Sequence, residues 1–263
     1  MHGQSGTTSN LLAIALYSTL NFKMKNMITQ TNFCMNNLEA PLIGIPSKDT
    51  EIFQDVGIDA LVRSIKSAPL DKDIIHNCSI SLLNKKLNLL AGTTKCNQEF
   101  YEYDLKMVMN NILKSVEKFH DIVYVDTNSG KRGLTLQVLD ESDLIVVNLS
   151  QNKRMFDAYF EEYMFDARKT FYLIGNYDKN SKNNINNIRR RYKQINLFNS
   201  AVIPYNTEFS DAQSEGKLID FMKRNINSNK DDVNRNFMAK VSEASNKILM
   251  KAGWKGGFND IYN

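Results

Sequence analysis

Met1-His2-Gly3-Gln4-Ser5-Gly6-Thr7-Thr8-Ser9-Asn10-Leu11-Leu12 is the stretch on which the reading of this chain turns. Gly3 and Gly6 stand where a backbone must turn tightly and come close to an oxygen-rich ligand. Thr7, Thr8 and Ser9 open a helix that residues 11–20 continue. Such a turn, followed by a helix N-terminus, aims free N–H groups at an anion. A phosphate-cradling loop also carries a Lys just before its Ser/Thr, reaching the β- and γ-phosphates. Here that position is Thr7, so the loop keeps its geometry and lacks its main cation. Thr8 is placed where a hydroxyl coordinates Mg²⁺ on the phosphates. Taken alone, the stretch equally describes a glycine-rich helix start with no ligand.

At 263 residues the chain can build one sizeable core without a second domain. Its 42% hydrophobic and 24% charged residues give the balance of a folded soluble protein, not of a disordered one. A net charge of +4 is too weak to imply nucleic acid by itself. Cys34, Cys78 and Cys96 are widely spaced, with no Cys-x-x-Cys, and read as reduced thiols in a cytoplasmic protein. His2, His76 and His120 are isolated from one another and from the cysteines, which excludes a zinc site of ordinary spacing. No apolar run approaches the roughly 20 residues of a membrane span. Residues 11–20 lack a basic flank and an A-x-A-like cleavage site, so they read as a buried helix and not a signal peptide.

Downstream, strand-like and helix-like segments alternate. Helices are expected over residues 8–21, 51–66, 97–120, 134–140, 153–164, 183–193, 216–225 and 231–251. Strands are expected over 27–30, 121–125, 143–149, 170–174 and 200–203, with short apolar runs at 74–78 and 87–91. Near-continuous apolar strands alternating with helices argue for an α/β fold with a mostly parallel sheet covered on both faces. Ligands in such folds bind at the carboxyl ends of the strands. Residues 1–225 are expected to form the ligand-binding domain, and 226–263 a C-terminal helix and tail packed on it. A phosphate loop normally follows a central strand, and none precedes Met1. Either the sequence is a fragment, the preferred reading, or the sheet lacks its middle strand.

Three strand ends carry candidate chemistry. Ile122-Val123-Tyr124-Val125-Asp126-Thr127-Asn128-Ser129-Gly130 places a carboxylate at a strand's carboxyl edge, where it can hold a metal's water shell. Gly130 lets a backbone N–H approach a γ-phosphate. Phe171-Tyr172-Leu173-Ile174-Gly175-Asn176 offers an amide to the edge of a purine, and Ala201-Val202-Ile203-Pro204-Tyr205-Asn206 offers a wall for a base. Each is also an ordinary strand-end turn.

In this order, the loop, the Asp126 strand end, Asn176 and Ile203-Pro204-Tyr205-Asn206 resemble the ParA/MinD family of deviant phosphate-loop ATPases, over roughly residues 2–225. The family loop reads Lys-Gly-Gly-x-Gly-Lys-Thr-Thr. Here His2 stands at the first Lys, Gln4 at the second Gly and Thr7 at the second Lys, while Thr8 is retained. The strand after the loop helix usually ends in Asp-x-Asp, which prepares the attacking water. Here it is Met27-Ile28-Thr29-Gln30-Thr31-Asn32-Phe33, with no acid until Glu39. A loop with Thr at the Lys position looks like the TadZ/CpaE branch, whose members place pili.

The resemblance implies ATP and Mg²⁺ as ligands. Gly3, Gln4, Ser5, Gly6, Thr7, Thr8 and Ser9 would bind the phosphates, Thr8 and Asp126 the Mg²⁺, Gly130 the γ-phosphate, and Asn176, Pro204 and Tyr205 the base. It also implies a nucleotide-sandwich homodimer that binds and positions a pilus or secretion assembly, with little or no hydrolysis. Recruitment to the cell pole or the inner face of the membrane would come through partners. Two alternatives stay open: a working segregation-type ATPase, and an interaction module with a vestigial pocket. The run Arg189-Arg190-Arg191 with Lys193 can be read as a DNA contact or as a solvated helix face. The apolar stripe of residues 231–251 suits packing on the domain better than a membrane surface.

Overall fold

The computed structural model describes residues 6–33, 37–44, 55–128, 130, 133–163, 165–227 and 233–257. In chain order the elements are α1 (Thr7–Asn21), β1 (Asn26–Gln30), α2 (Glu39–Ile43), α3 (Ile58–Ile65), α4 (Lys72–Asn77), β2 (Ile80–Leu82), β3 (Leu87–Leu90), α5 (Gln98–Val116) and β4 (Ile122–Asp126). They continue with α6 (Gly133–Glu141), β5 (Ile145–Leu149), α7 (Lys153–Glu162), β6 (Thr170–Ile174), α8 (Ile185–Arg191), β7 (Ser200–Val202), α9 (Thr207–Ser214), α10 (Leu218–Asn225) and α11 (Arg235–Lys251).

The strands form two hydrogen-bonded groups, ordered β2-β3-β1-β4 and β5-β6-β7. Every pairing is parallel except β2 with β3. The parallel strands are short apolar runs because both of their faces are covered. Alternation along β1 shows this: Ile28 points into one core with Leu12 and Leu16 of α1 and Val241 and Ala244 of α11, whereas Met27 points into another with Leu61 of α3 and Leu105 and Met109 of α5. The α/β architecture is the one expected, with helices on both faces.

α11 carries Phe237, Val241, Ala244, Ile248 and Leu249 into buried positions, so its apolar stripe is occupied by packing. Val233, which the sequence pattern placed in the same stripe, is 84% exposed. Trp254 closes this end of the chain edge-on against Phe22, with ring centroids 4.9 Å apart. Among the described residues no helix is long and apolar enough to cross a membrane.

Several elements differ from the sequence expectation. The helix expected over 51–66 starts only at Ile58, because Gly57 adopts φ 90° and breaks the turn before it; residues 51–54 lie outside the described residues. The apolar run 74–78 falls largely in α4, whose N-terminus is capped by Asp71 accepting from the Ile74 N–H at 2.8 Å. The antiparallel partner of β3 is Ile80–Leu82 instead. α2 and α9 were not expected. α9 is polar apart from buried Phe209 and Ala212, and Asn206, read as part of a base wall, is its N-cap.

α2 and α10 meet at two glycines. Gly216 has φ 70°, and a Cβ there would lie 2.3 Å from Gly44 Cα and 2.8 Å from the Ala40 carbonyl oxygen. Gly216→Ala therefore combines left-handed strain with a backbone collision and is expected to cost about 3 kcal/mol of unfolding free energy. Urea titration of the variant checks this. A loss under about 1 kcal/mol would mean that the α2–α10 contact yields easily.

Candidate functional site

Parallel strands bring β1, β3, β4, β5, β6 and β7 to one carboxyl edge, and the candidate residues collect there. α1 begins at this edge. Its N-cap is Gly6 in the left-handed region at φ 71°, a residue with no side chain to offer as a cap. The opening N–H groups of a helix have no acceptor within the helix itself. Residues Gly3, Gln4 and Ser5, and His2 before them, lie outside the described residues.

The centre of the site is one hydrogen bond: Thr8 Oγ1 donates to Asp126 Oδ2 at 2.6 Å across 118 residues of sequence. Asp126 is the last residue of β4 and is 1% exposed. Burial pushes its carboxyl above the ordinary carboxylate range, and the Thr8 hydroxyl partly offsets this. No ion pair reaches it among the described residues. A buried carboxylate held by a single hydroxyl is costly unless a cation compensates it. That is the environment a hydrated Mg²⁺ would fit, with Thr8 and Asp126 as its protein contacts.

One helical turn on, Asn10 Nδ2 donates to Asn148 Oδ1 of β5 at 3.0 Å. α1 is thereby pinned at its start to both β4 and β5. The sequence reading passed over this pair; its signal was a polar Asn148 inside the apolar run Ile-Val-Val-Asn-Leu. Asn148→Ala would strand the amide of Asn10, which is 5% exposed, and should cost about 1.5 kcal/mol. Thermal unfolding at constant pH reads that loss, and an unchanged midpoint would show that the pair does not hold α1 in place.

Beside Asp126 in the sheet register stands Gln30, and its neighbours Thr31 and Asn32 follow. Gln30 Oε1, Thr31 Oγ1 and Asn32 Oδ1 are buried without hydrogen-bond partners among the described residues. Glu39, the first acid after β1, is fully buried and turned elsewhere. It accepts from the Gly92 N–H at 2.5 Å and from Gln30 Nε2 at 3.2 Å. The edge of β1 is therefore neutral, and Glu39 clamps β1 to the strand beside it.

The remaining candidates line the same edge further along. Gly130 has φ 109°, with nothing within 4 Å of the position a Cβ would take. Asn176 follows β6 as an exposed residue in the left-handed region at φ 47°. Its side-chain amide has no partner among the described residues. Pro204 is half-buried and Tyr205 is 61% exposed. The structure brings Thr8 and Asp126 into contact; it places Gly130, Asn176, Pro204 and Tyr205 on the shared edge without joining them to that pair.

Away from this edge, Arg189 is tied to Ser200 Oγ at 2.9 Å, so the basic run presents Arg190 and Arg191, not three arginines, to solvent. Among the described residues no group of three or more His, Cys, Asp or Glu could hold a metal ion.

No protein-family model matches the sequence, and no curated protein matches it. Solved structures do match in fold. A ParA family ATPase from Chlorobium tepidum superposes with a TM-score of 0.69 at 11% identity, over 93% of this chain and 95% of that one. The septum site-determining protein MinD from Pyrococcus horikoshii, complexed with Mg-ADP, gives 0.65 at 12% identity, over 96% and 94%. A plasmid partition protein from Borrelia burgdorferi bound to AMPPNP gives 0.58 at 13% identity, over 95% of each chain. The chain thus has the fold of ParA/MinD ATPases.

Proposed function

We propose that this chain is a ParA/MinD-type nucleotide-binding protein that holds Mg-ATP at the α1 edge with weak or no hydrolysis, and that as a nucleotide-dependent dimer it localises a larger assembly, a pilus or secretion apparatus. The observation that carries the reading is the 2.6 Å contact between Thr8, in the first turn of α1, and the buried Asp126, which no ion pair reaches among the described residues. Support comes from the fold, whose solved neighbours include an Mg-ADP and an AMPPNP complex.

In this reading the loop residues Gly3, Gln4, Ser5, Gly6, Thr7 and Ser9 surround the phosphates. Thr8 and Asp126 hold Mg²⁺, Asp126 through water. Bound Mg²⁺ would supply the phosphate-charge shielding that a loop without lysine does not. Gly130 faces the γ-phosphate, and Asn176, Pro204 and Tyr205 hold the base.

Weak turnover follows from charge. Phosphoryl transfer rests on positioning and electrostatic stabilisation of the transferring group. None of the described residues assigned to the site is a Lys or Arg. The edge of β1 offers Gln30 and Asn32 where an acid would orient the attacking water.

Equilibrium binding of a fluorescent ATP analogue, with and without Mg²⁺, tests the proposal. Micromolar binding that needs Mg²⁺ is the expected result. No binding at millimolar nucleotide would overturn it and leave an interaction module with a vestigial pocket. Phosphate release stimulated by DNA or a protein partner would instead favour the segregation-type ATPase.

A further inference from the structure

The turn that leads into β7 presents two adjacent apolar side chains to solvent. Phe198 is 86% exposed, the most of any large apolar side chain among the described residues, and Leu197 is 62% exposed. A single exposed apolar residue is ordinary on a protein surface. This pair differs in standing on a braced turn. Asn196 Oδ1 accepts from the N–H groups of Phe198 at 2.9 Å and Asn199 at 3.1 Å, and Asn199 Oδ1 accepts from the Asn196 N–H at 2.7 Å. Asn199 Nδ2 donates to the Gln194 carbonyl at 2.9 Å, and Ile195 is buried at the base of the turn. Two asparagines thus hold the backbone of the turn and leave the apolar pair outward. β7 ends its group of strands, so the turn stands at a corner of the sheet's amino edge.

The corner is cationic. From one face of β7, α8 and the residues after it bring Arg190, Arg191 and Lys193, all exposed and in no ion pair among the described residues. From the other face α11 brings Lys247, whose Nζ donates to the Ser200 carbonyl at 3.4 Å, and Lys251, whose Nζ donates to the Ala167 carbonyl at 3.5 Å. The acids of these elements are already engaged: Asp157 with Lys153 and the Tyr192 hydroxyl, Asp166 with Arg168, and Glu243 with Lys240 and Lys247.

We propose that this corner docks directly on an anionic lipid surface, with Leu197 and Phe198 entering the boundary between headgroups and acyl chains and Arg190, Arg191, Lys193 and Lys251 meeting lipid phosphates. A projecting apolar tip among unpaired cations is the complement of such a bilayer, which is negative at its surface and apolar just beneath. Duplex DNA would engage the cations and leave the apolar pair in water. A protein partner would need roughly 800 Å² on each side for a stable interface, far more than two side chains at a convex tip bury. The apolar stripe of α11 is packed inside the domain and is not part of this contact. The Thr8–Asp126 site lies at the opposite, carboxyl edge of the sheet, so a docked chain keeps that edge free. Docking at the corner does not require nucleotide.

Co-sedimentation of the 263-residue chain with vesicles, without nucleotide, tests this. Vesicles of mixed phosphatidylglycerol and phosphatidylcholine should bind it about 10-fold or more tighter than phosphatidylcholine alone, and added salt should weaken the binding. Leu197→Ser combined with Phe198→Ser should weaken it about 30-fold. Arg190→Gln, Arg191→Gln and Lys193→Gln together should weaken it about 100-fold. All five side chains are exposed, so thermal unfolding of both variants should match the parent and show the fold intact. Phe198→Trp should add an emission that shifts to the blue on the mixed vesicles. No binding to those vesicles, binding that the serine pair leaves unchanged, or an unshifted tryptophan overturns the proposal. Tighter binding to duplex DNA than to the vesicles would assign the corner to nucleic acid and overturn it as well.

Discussion

Asp126→Asn is expected to stabilise the nucleotide-free protein and at the same time to remove its Mg²⁺-dependent nucleotide binding. The carboxylate is 1% exposed, and among the described residues its only hydrogen bond is from the Thr8 hydroxyl. Burial raises its pKa above the unfolded value of about 3.9. The folded state therefore binds the proton more tightly than the unfolded chain does. The sign follows from that: stability is highest below about pH 4 and is lost as the pH rises through the folded pKa, leaving the ionised form the weaker one at neutral pH. Asparagine keeps the shape and an acceptor for Thr8 and removes the charge. A gain of about 1 kcal/mol at pH 7 is expected, together with a flatter dependence of stability on pH above about 4. Nucleotide affinity in Mg²⁺ should fall about 100-fold, or roughly 2.7 kcal/mol, while the smaller affinity in EDTA stays unchanged. Urea titrations at several pH values and paired nucleotide titrations measure the two effects separately. A variant that binds Mg-nucleotide as before would remove Asp126 from the metal site. One that loses stability would make the Thr8–Asp126 contact a structural clamp.

What the sequence showed in advance depends on how local each signal is. α1, β4 and β6 were legible because each rests on a local apolar run. Asp126 was legible because a single acid ends such a run. β2, α2 and α9 were not, since β2 and α2 are only three and five residues long and α9 is polar apart from Phe209 and Ala212. The bond between Asn10 and Asn148 spans 138 residues, and no local pattern announces it. Glu39 misleads in sequence, standing as the nearest acid after β1. In the fold the Gly92 N–H and Gln30 take up its carboxylate, which leaves it fully buried on the β3 side of the strand. The break in the sheet shows the same limit. No local pattern announces that β4 pairs with β1 and β5 with β6 in separate groups among the described residues.

Thr7→Lys should turn a weak phosphate site into a strong one. Thr7 is the first residue of α1, immediately after the left-handed Gly6, and is half-buried. A lysine there would place an ammonium on a flexible stem at the helix end that already favours anions. One charge-assisted contact to a phosphate is worth about 1.5–3 kcal/mol, so Mg-ATP affinity should tighten by roughly 10- to 100-fold. Thr7→Gln serves as the neutral control of similar length, and the gain over it should shrink as salt rises. If the lysine and glutamine variants bind alike, α1 does not face a phosphate and the nucleotide reading fails with it. Turnover should stay flat in the lysine variant even as affinity rises. The cation addresses charge on the phosphates, whereas the neutral edge at Gln30, Thr31 and Asn32 still offers no carboxylate to orient water. Affinity and hydrolysis are therefore two separate deficits in this chain, and restoring the first alone should yield a tighter binder, not a faster enzyme.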